Sequence, residues 1–139
     1  MMDIDPEIPA FIDRIVRIGS AYDTEGMQAL YTEDQAILFL TADGGVARSP
    51  KAQFIAEFAA RRAAGEPPLS TEYRLLHVEQ QGDFATALLY RRMSPVAEPA
   101  LYELRLRRLP EGWRCTGETV QPWPDLARAG AFLPPRGRG

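Results

Sequence analysis

The side chains able to do chemistry in this chain are few, and three types occur once: His77, Cys115 and Lys51. One histidine and one cysteine cannot assemble a Cys/His zinc site, and a lone cysteine forms no internal disulfide. Schiff-base chemistry would fall to Lys51. Its place in the first turn of an expected helix predicts an exposed ammonium instead. Tyr31 and Asp34 offer a phenol and a carboxylate that could orient a ligand. Glu103, Arg105 and Glu118 offer two acids and a cation. Gly44-Gly45 reads as a hairpin turn and not as a phosphate loop. These residues name no reaction and call for no cofactor and no metal.

The elements that must position them centre on a β-meander from Ser70 to Val120. Its first strand is expected over Thr71–Gln80 and its second over Phe84–Met93. Gln81-Gly82 or Gly82-Asp83 turns between them, and either choice leaves the two-residue loop that hairpins favour. Even-numbered residues of the first strand then share a face with odd-numbered residues of the second. One face carries Leu76, Val78, Ala85, Ala87 and Leu89; the other carries Tyr73, Leu75, His77, Phe84, Leu88 and Tyr90. A sheet apolar on both sides calls for a cover on each: helices on one, something else on the other. His77 on that second face reads as a structural or interface residue.

A third strand, Leu101–Leu109, points Tyr102, Leu104 and Leu106 one way and Glu103, Arg105 and Arg107 the other. Trp113–Val120 returns, and a Glu111-Gly112 loop would set Arg105 opposite Glu118 on a wet face. Such a cross-strand pair contributes about 0.2–1 kcal/mol. Trp113 and Cys115 would join the Tyr102 face, which makes the thiol inert core rather than a nucleophile.

Before the meander, Pro9 suits the first turn of a helix. Phe11, Ile12, Ile15 and Val16 form its apolar stripe, and Gly19-Ser20 ends it. Asp23 or Thr24 caps a short second helix that buries Met27, Leu30 and Tyr31. Ala36–Thr41 is an apolar strand, turned back through Val46–Arg48. Ser49 as N-cap and Pro50 at the first helical position start a third helix that runs to about Ala64. Phe54, Ile55 and Phe58 make its inner stripe. The segment 122–139, rich in Pro, Gly and Arg, reads as a mobile tail, with a short helix at Asp125–Ala129. Trp123, Leu126, Phe132 and Leu133 are the tail residues able to fold back.

A length of 139 residues suits one domain, residues 1–139, with one core and a modest cavity. A net charge of −3 leaves no electrostatic footprint for nucleic acid or an anionic membrane. No apolar run approaches the roughly 20 residues that span a bilayer. The acidic opening Met1–Glu7 lacks the basic and apolar regions of a signal peptide, so a cytoplasmic protein is expected.

The order helix, short helix, hairpin, long helix and four-stranded meander resembles the nuclear transport factor 2-like superfamily, over roughly Pro9 to Val120. Three stretches carry the resemblance: the phrase Tyr22–Asp34, the hairpin Gly82-Asp83-Phe84-Ala85 and the turn Gly112-Trp113-Arg114. The polyketide-cyclase-like and lumazine-binding-like branches are the most similar. The resemblance implies an α+β fold. A cone-shaped, curled mixed sheet is packed with three N-terminal helices, a cystatin-like roll. It implies a cup lined by Ile15, Tyr31, Phe39, Phe54, Phe58, Tyr102 and Trp113, and a homodimer through the outer sheet face.

The family's chemistry carries over poorly. Ketosteroid isomerases of this superfamily use an Asp base with an oxyanion pair of Tyr and protonated Asp. Their tyrosine position falls on Ile15, their base on Phe39 and their second acid near Glu103 or Leu104. The dehydratase pattern needs a His–Asp pair in the cup, where only His77 is on offer. The Asp–Arg–Asp relay of the epoxide-hydrolase branch is imitated in type alone by Glu103, Arg105 and Glu118. The first expectation is therefore a dimer whose cup binds a small apolar molecule without catalysis. The alternatives are an isomerase, cyclase or dehydratase acting on an apolar substrate, and a dimeric interaction module. An inward acid with a raised pKa would favour an enzyme. A filled cup would favour the interaction module.

Overall fold

Six strands in one curved, mixed sheet organise the molecule, as seen in a computed structural model that describes residues 4–94 and 96–123. The chain order is α1 (Glu7–Ser20), α2 (Thr24–Gln28), β1 (Ala36–Leu40), β2 (Val46–Pro50), α3 (Lys51–Ala63), β3 (Tyr73–Gln81), β4 (Phe84–Arg91), β5 (Ala100–Leu109) and β6 (Gly112–Pro122). The strands lie in the order β2-β1-β6-β5-β4-β3. β1 runs parallel to β6, and every other neighbouring pair is antiparallel. The three helices and the curved sheet make the expected α+β roll. Most of the expected tail, residues 124–139 with the Asp125–Ala129 helix, lies outside the described residues. Among the described residues no helix is long and apolar enough to cross a membrane.

Helix α1 starts at Glu7, which puts Pro9 in its first turn as expected. The Asp5 carboxylate accepts from the Glu7 amide at 2.9 Å, and Ile8 is fully buried beside Phe11, Ile12 and Val16. It ends at a reversal in which Tyr22 takes φ 56. The Asp23 amide donates to Ile18 O at 3.1 Å and the Tyr22 amide to Gly19 O at 3.0 Å, a pairing that satisfies the last helical carbonyls. The left-handed position is unusual for a tyrosine. Its hydroxyl donates to Pro67 O at 3.0 Å and its ring meets Phe58 edge-on at 5.7 Å, which holds it there. Asp23 caps α2 as expected, accepting from the Gly26 amide at 3.0 Å.

Ser49 does not cap α3. It pairs with Ile37 within β2, and Pro50, extended at ψ 156, closes that strand opposite Ala36. A proline at a strand end has no N–H to forfeit, so the ladder claims both residues and the helix begins at Lys51. Lys51 is not exposed either; it is 5% accessible. Its ammonium donates to Gln28 O at 3.1 Å, Tyr31 O at 3.0 Å and Glu33 Oε1 at 3.3 Å. A cation at those carbonyls stabilises the C-terminal end of α2 and the loop behind it.

Two bulges reset the meander. Gly82-Asp83 forms the β3–β4 loop, and Gly82 has φ 65. The pairing runs as expected from Gln81↔Phe84 to His77↔Leu88, then skips Leu76. Tyr73 and Leu75 thereby pack against the core, contrary to the unbroken alternation, while Leu76 is exposed. Between β5 and β6 the loop is Pro110-Glu111, one residue earlier than expected, and Thr116 is skipped between Leu106↔Cys115 and Arg105↔Gly117. Glu118 therefore stands opposite Leu104 and not Arg105.

The Lys51 contacts generate a prediction. Lys51→Met leaves two carbonyls without their donor and is expected to lower unfolding free energy by about 1.5–3 kcal/mol. Glu33→Ala, removing a carboxylate that is 97% exposed, is expected to stay within about 0.5 kcal/mol. Urea denaturation of both variants checks this; equal effects would mean that the ion pair, not the carbonyl contacts, is what matters.

Candidate functional site

A cavity of about 310 Å³ lies between α1, α3 and the inner face of the sheet. Its apolar wall includes Ile15 and Val16 of α1, Phe54 and Phe58 of α3, and Leu89 and Leu104 of the sheet. Phe54 meets Tyr31 edge-on at 5.1 Å and Phe58 at 6.4 Å, which fixes the rings as a wall. Phe39, Glu57 and Arg61 line it from exposed positions and mark the mouth. Six of the seven expected cup residues line this space: Ile15, Tyr31, Phe39, Phe54, Phe58 and Tyr102.

Trp113 does not. It packs away from the cavity, its indole N–H donating to Asp5 Oδ2 at 2.9 Å under the Arg108 guanidinium, 5.3 Å from the ring. The segment before α1 reaches across to claim it. His77 is exposed, 2.8 Å from Glu79 Oε1. Asp34 is exposed and accepts from the Thr32 hydroxyl at 2.8 Å. The Glu103/Arg105/Glu118 set is split. Glu103 and Arg105 pair at 2.5 Å on the outer face, and Arg105 also donates to the Thr119 hydroxyl at 3.1 Å, while Glu118 points inward.

Glu118 is the group that gives the cavity chemical character. It lines the space at 5% exposure. Burial pushes its pKa up from the usual carboxylate range to about 7. The Arg91 charge opposes that, followed by hydrogen bonding from Cys115 and Tyr31 and by the charge of Arg105. The Cys115 thiol lies 3.8 Å from Glu118 Oε1, and burial, then the Glu118 charge, raises the thiol's pKa too. Tyr31 is driven well above the usual phenol value, by burial first and the Glu118 charge second. Tyr102 is pushed up to about 12 by burial, with Arg91 acting the other way. Both phenols therefore stay protonated at neutral pH and can donate hydrogen bonds.

Arg91 is the cavity's deep cation, 9% exposed on the inner face of β4. It donates to the Ser20 hydroxyl at 2.5 Å and lies 6.0 Å from the centre of the Tyr102 ring. A carboxyl that titrates near neutrality, two neutral phenols and a guanidinium in an apolar hollow are the parts of a general acid–base site. Among the described residues no group of three His, Cys, Asp or Glu is placed to hold a metal ion.

Neither Glu118 nor Arg91 stood out as a cavity residue in the sequence, though each leaves a signal there. Arg91 continues the alternation Ala85-Ala87-Leu89, which places it inside by parity alone. Gly117 interrupts a strand pattern, a mark of a bulge. A Cβ at Gly117 would stand 2.6 Å from Arg105 Nη2, so the guanidinium lies over the bulge in the space a side chain there would share.

Solved structures share this architecture. A protein of unknown function from Silicibacter pomeroyi superposes with a TM-score of 0.69 at 15% identity, over 84% of this chain and 92% of that one. The fold is nuclear transport factor 2-like. A second such protein, from Shewanella baltica, gives 0.68 at 12% identity over 85% and 92% of the two chains. A cystatin-like domain from Nostoc punctiforme gives 0.63 at 17% identity over 88% and 78%. No family model matches the sequence, and no curated protein does. At these identities the nuclear transport factor 2-like resemblance is one of fold.

The raised pKa of Glu118 fixes a sign. Between about pH 4.5 and 7 the folded chain holds a proton that the unfolded chain has released. Glu118 thus stabilises the fold fully below pH 4.5, and that contribution fades as pH rises through about 7. Unfolding free energy measured over this window is expected to carry a downward component of up to about 1.4 kcal/mol per pH unit. Glu118→Gln should remove that component, and an unchanged slope in the variant would assign it elsewhere.

Proposed function

We propose that the cavity binds a small, mostly apolar molecule and that Glu118 transfers a proton to or from it, as in an isomerase, cyclase or dehydratase. The observation that carries this is the inward acid. Glu118 is buried in the wall of an otherwise apolar space, with its pKa near the working range of a general base. Tyr102, held neutral and lining the same space, offers a phenol O–H to an oxygen on which charge develops, while the Tyr31 hydroxyl serves Glu118. The volume is at the low end of small-molecule sites, which keeps the substrate small. A binding role without catalysis is the second reading. It is favoured by Ile15 and Phe39, apolar cavity residues at the positions where the resemblance implies an isomerase's tyrosine and base.

A generic carbon acid tests the acid–base reading without knowledge of the substrate. With 5-nitrobenzisoxazole, a base removes the ring C–H proton as the N–O bond breaks, releasing a coloured phenolate. The rate is expected to rise with pH through about 7 as Glu118 ionises. Glu118→Gln should lower it about 100-fold or more. A variant as fast as the wild type would leave only the binding role.

We also propose a homodimer through the outer sheet face and a cytoplasmic setting. With Tyr73 and Leu75 turned inward, Leu76, Phe84, Leu88 and Tyr90 remain on or near that face. Sedimentation at micromolar concentration is expected to give twice the chain mass. Leu88→Arg, which would bury a charge without a partner, is expected to give monomer. A wild-type monomer at every concentration would refute the dimer.

A further inference from the structure

We propose that the ligand of the cavity is an organic acid, its carboxylate seated on Arg91 and its apolar body against Phe54, Phe58 and Leu89. The proposal rests on the cavity reading above and adds the chemical class of the ligand. A guanidinium keeps its charge in proteins and carries five N–H donors. In Arg91 one of these reaches the Ser20 hydroxyl, and Nε is buried with no partner. Among the described residues no carboxylate oxygen lies within 4.0 Å of it. The Tyr102 ring at 6.0 Å is a weak substitute for an anion. A buried cation so under-served is costly to the fold unless something supplies the missing acceptor. A carboxylate fits the guanidinium fork in two parallel hydrogen bonds.

Glu118 is the acid that shares the cavity, and its behaviour fits this division of labour. It feels the Arg91 charge, but burial outweighs that attraction and leaves it protonated for part of the neutral range. An incoming carboxylate and an ionised Glu118 therefore compete for one cation. The other charged or titratable groups around Glu118 are Tyr31 from the loop after α2, Arg105 of β5, and Cys115 of β6. Tyr102 of β5 feels its charge in turn, and Glu57 and Arg61 of α3 stand at the mouth. Of these, Glu118 is the group whose pKa is placed near 7. Acid binding is thus expected to tighten as pH falls from 8 to 6, a range in which a simple carboxylate ligand stays ionised.

The test compares phenylacetate with its uncharged isostere phenylacetamide by calorimetry, with uncharged N-phenyl-1-naphthylamine as a fluorescent reporter of the cavity itself. The wild type is expected to bind the acid at least ten-fold tighter than the amide, and Arg91→Gln to abolish that preference while the reporter still binds. Equal affinity for acid and amide would overturn the proposal and leave the cavity reading standing. So would a preference that survives Arg91→Gln, or one abolished by Arg61→Gln in its place. Failure of the reporter to bind the wild type would sink the cavity reading instead. Should Arg91→Gln fail to fold, the wild type decides alone: a preference growing from pH 8 to 6 supports the proposal, and a flat or inverted profile refutes it.

Discussion

The bulge at Thr116 in β6 is the constraint on which the site depends. Up to Cys115 the strand keeps step with β5; after it, the register has moved by one residue. A shift of one residue exchanges the faces of a strand. It takes Glu118 from the side where Arg105 and Glu103 pair and turns it into the cavity. Gly117 sits beside this bulge, with the Arg105 guanidinium packed over it.

What surrounds Glu118 then follows from burial. Helices α1 and α3 cover the inner face with Ile15, Val16, Phe54 and Phe58 and bury the carboxylate, which disfavours its ionised form. Lys51 at the start of α3 ties that helix to the carbonyls of Gln28 and Tyr31. The same contact that seats the helix therefore steadies the backbone that presents the Tyr31 phenol. Stability and chemistry pull against each other here: a carboxyl and a guanidinium in an apolar hollow weaken a core, yet are what a proton-transferring or acid-binding site requires.

Much of the architecture was legible. The apolar stripes of α1 and α3, the Asp23 cap and the Gly82-Asp83 turn follow from local rules, and together with the order of elements they led to the nuclear transport factor 2-like fold. The cavity lining was legible because a ring on a helix stripe or an inward strand position has one side to face. Glu118 was not, because strict alternation assumes an unbroken ladder, whereas Arg91 follows the alternation of β4. The two errors of facing, Tyr73 with Leu75 and Glu118, arise at bulges. Lys51 was misplaced for a different reason: a charged residue in a first turn reads as solvated unless the carbonyls waiting for it, 20 and more residues away, are known.

The central claim is that a carboxyl group in this cavity changes its charge near neutrality. Carbon-13 NMR of the glutamate side-chain carboxyls, with Glu118 assigned by its loss in Glu118→Gln, measures that directly. A titration midpoint near 7, well apart from those of the exposed glutamates, is the result the structure requires. A midpoint near 4.5, among the exposed glutamates, would mean that water reaches Glu118 and that the cavity holds no such acid.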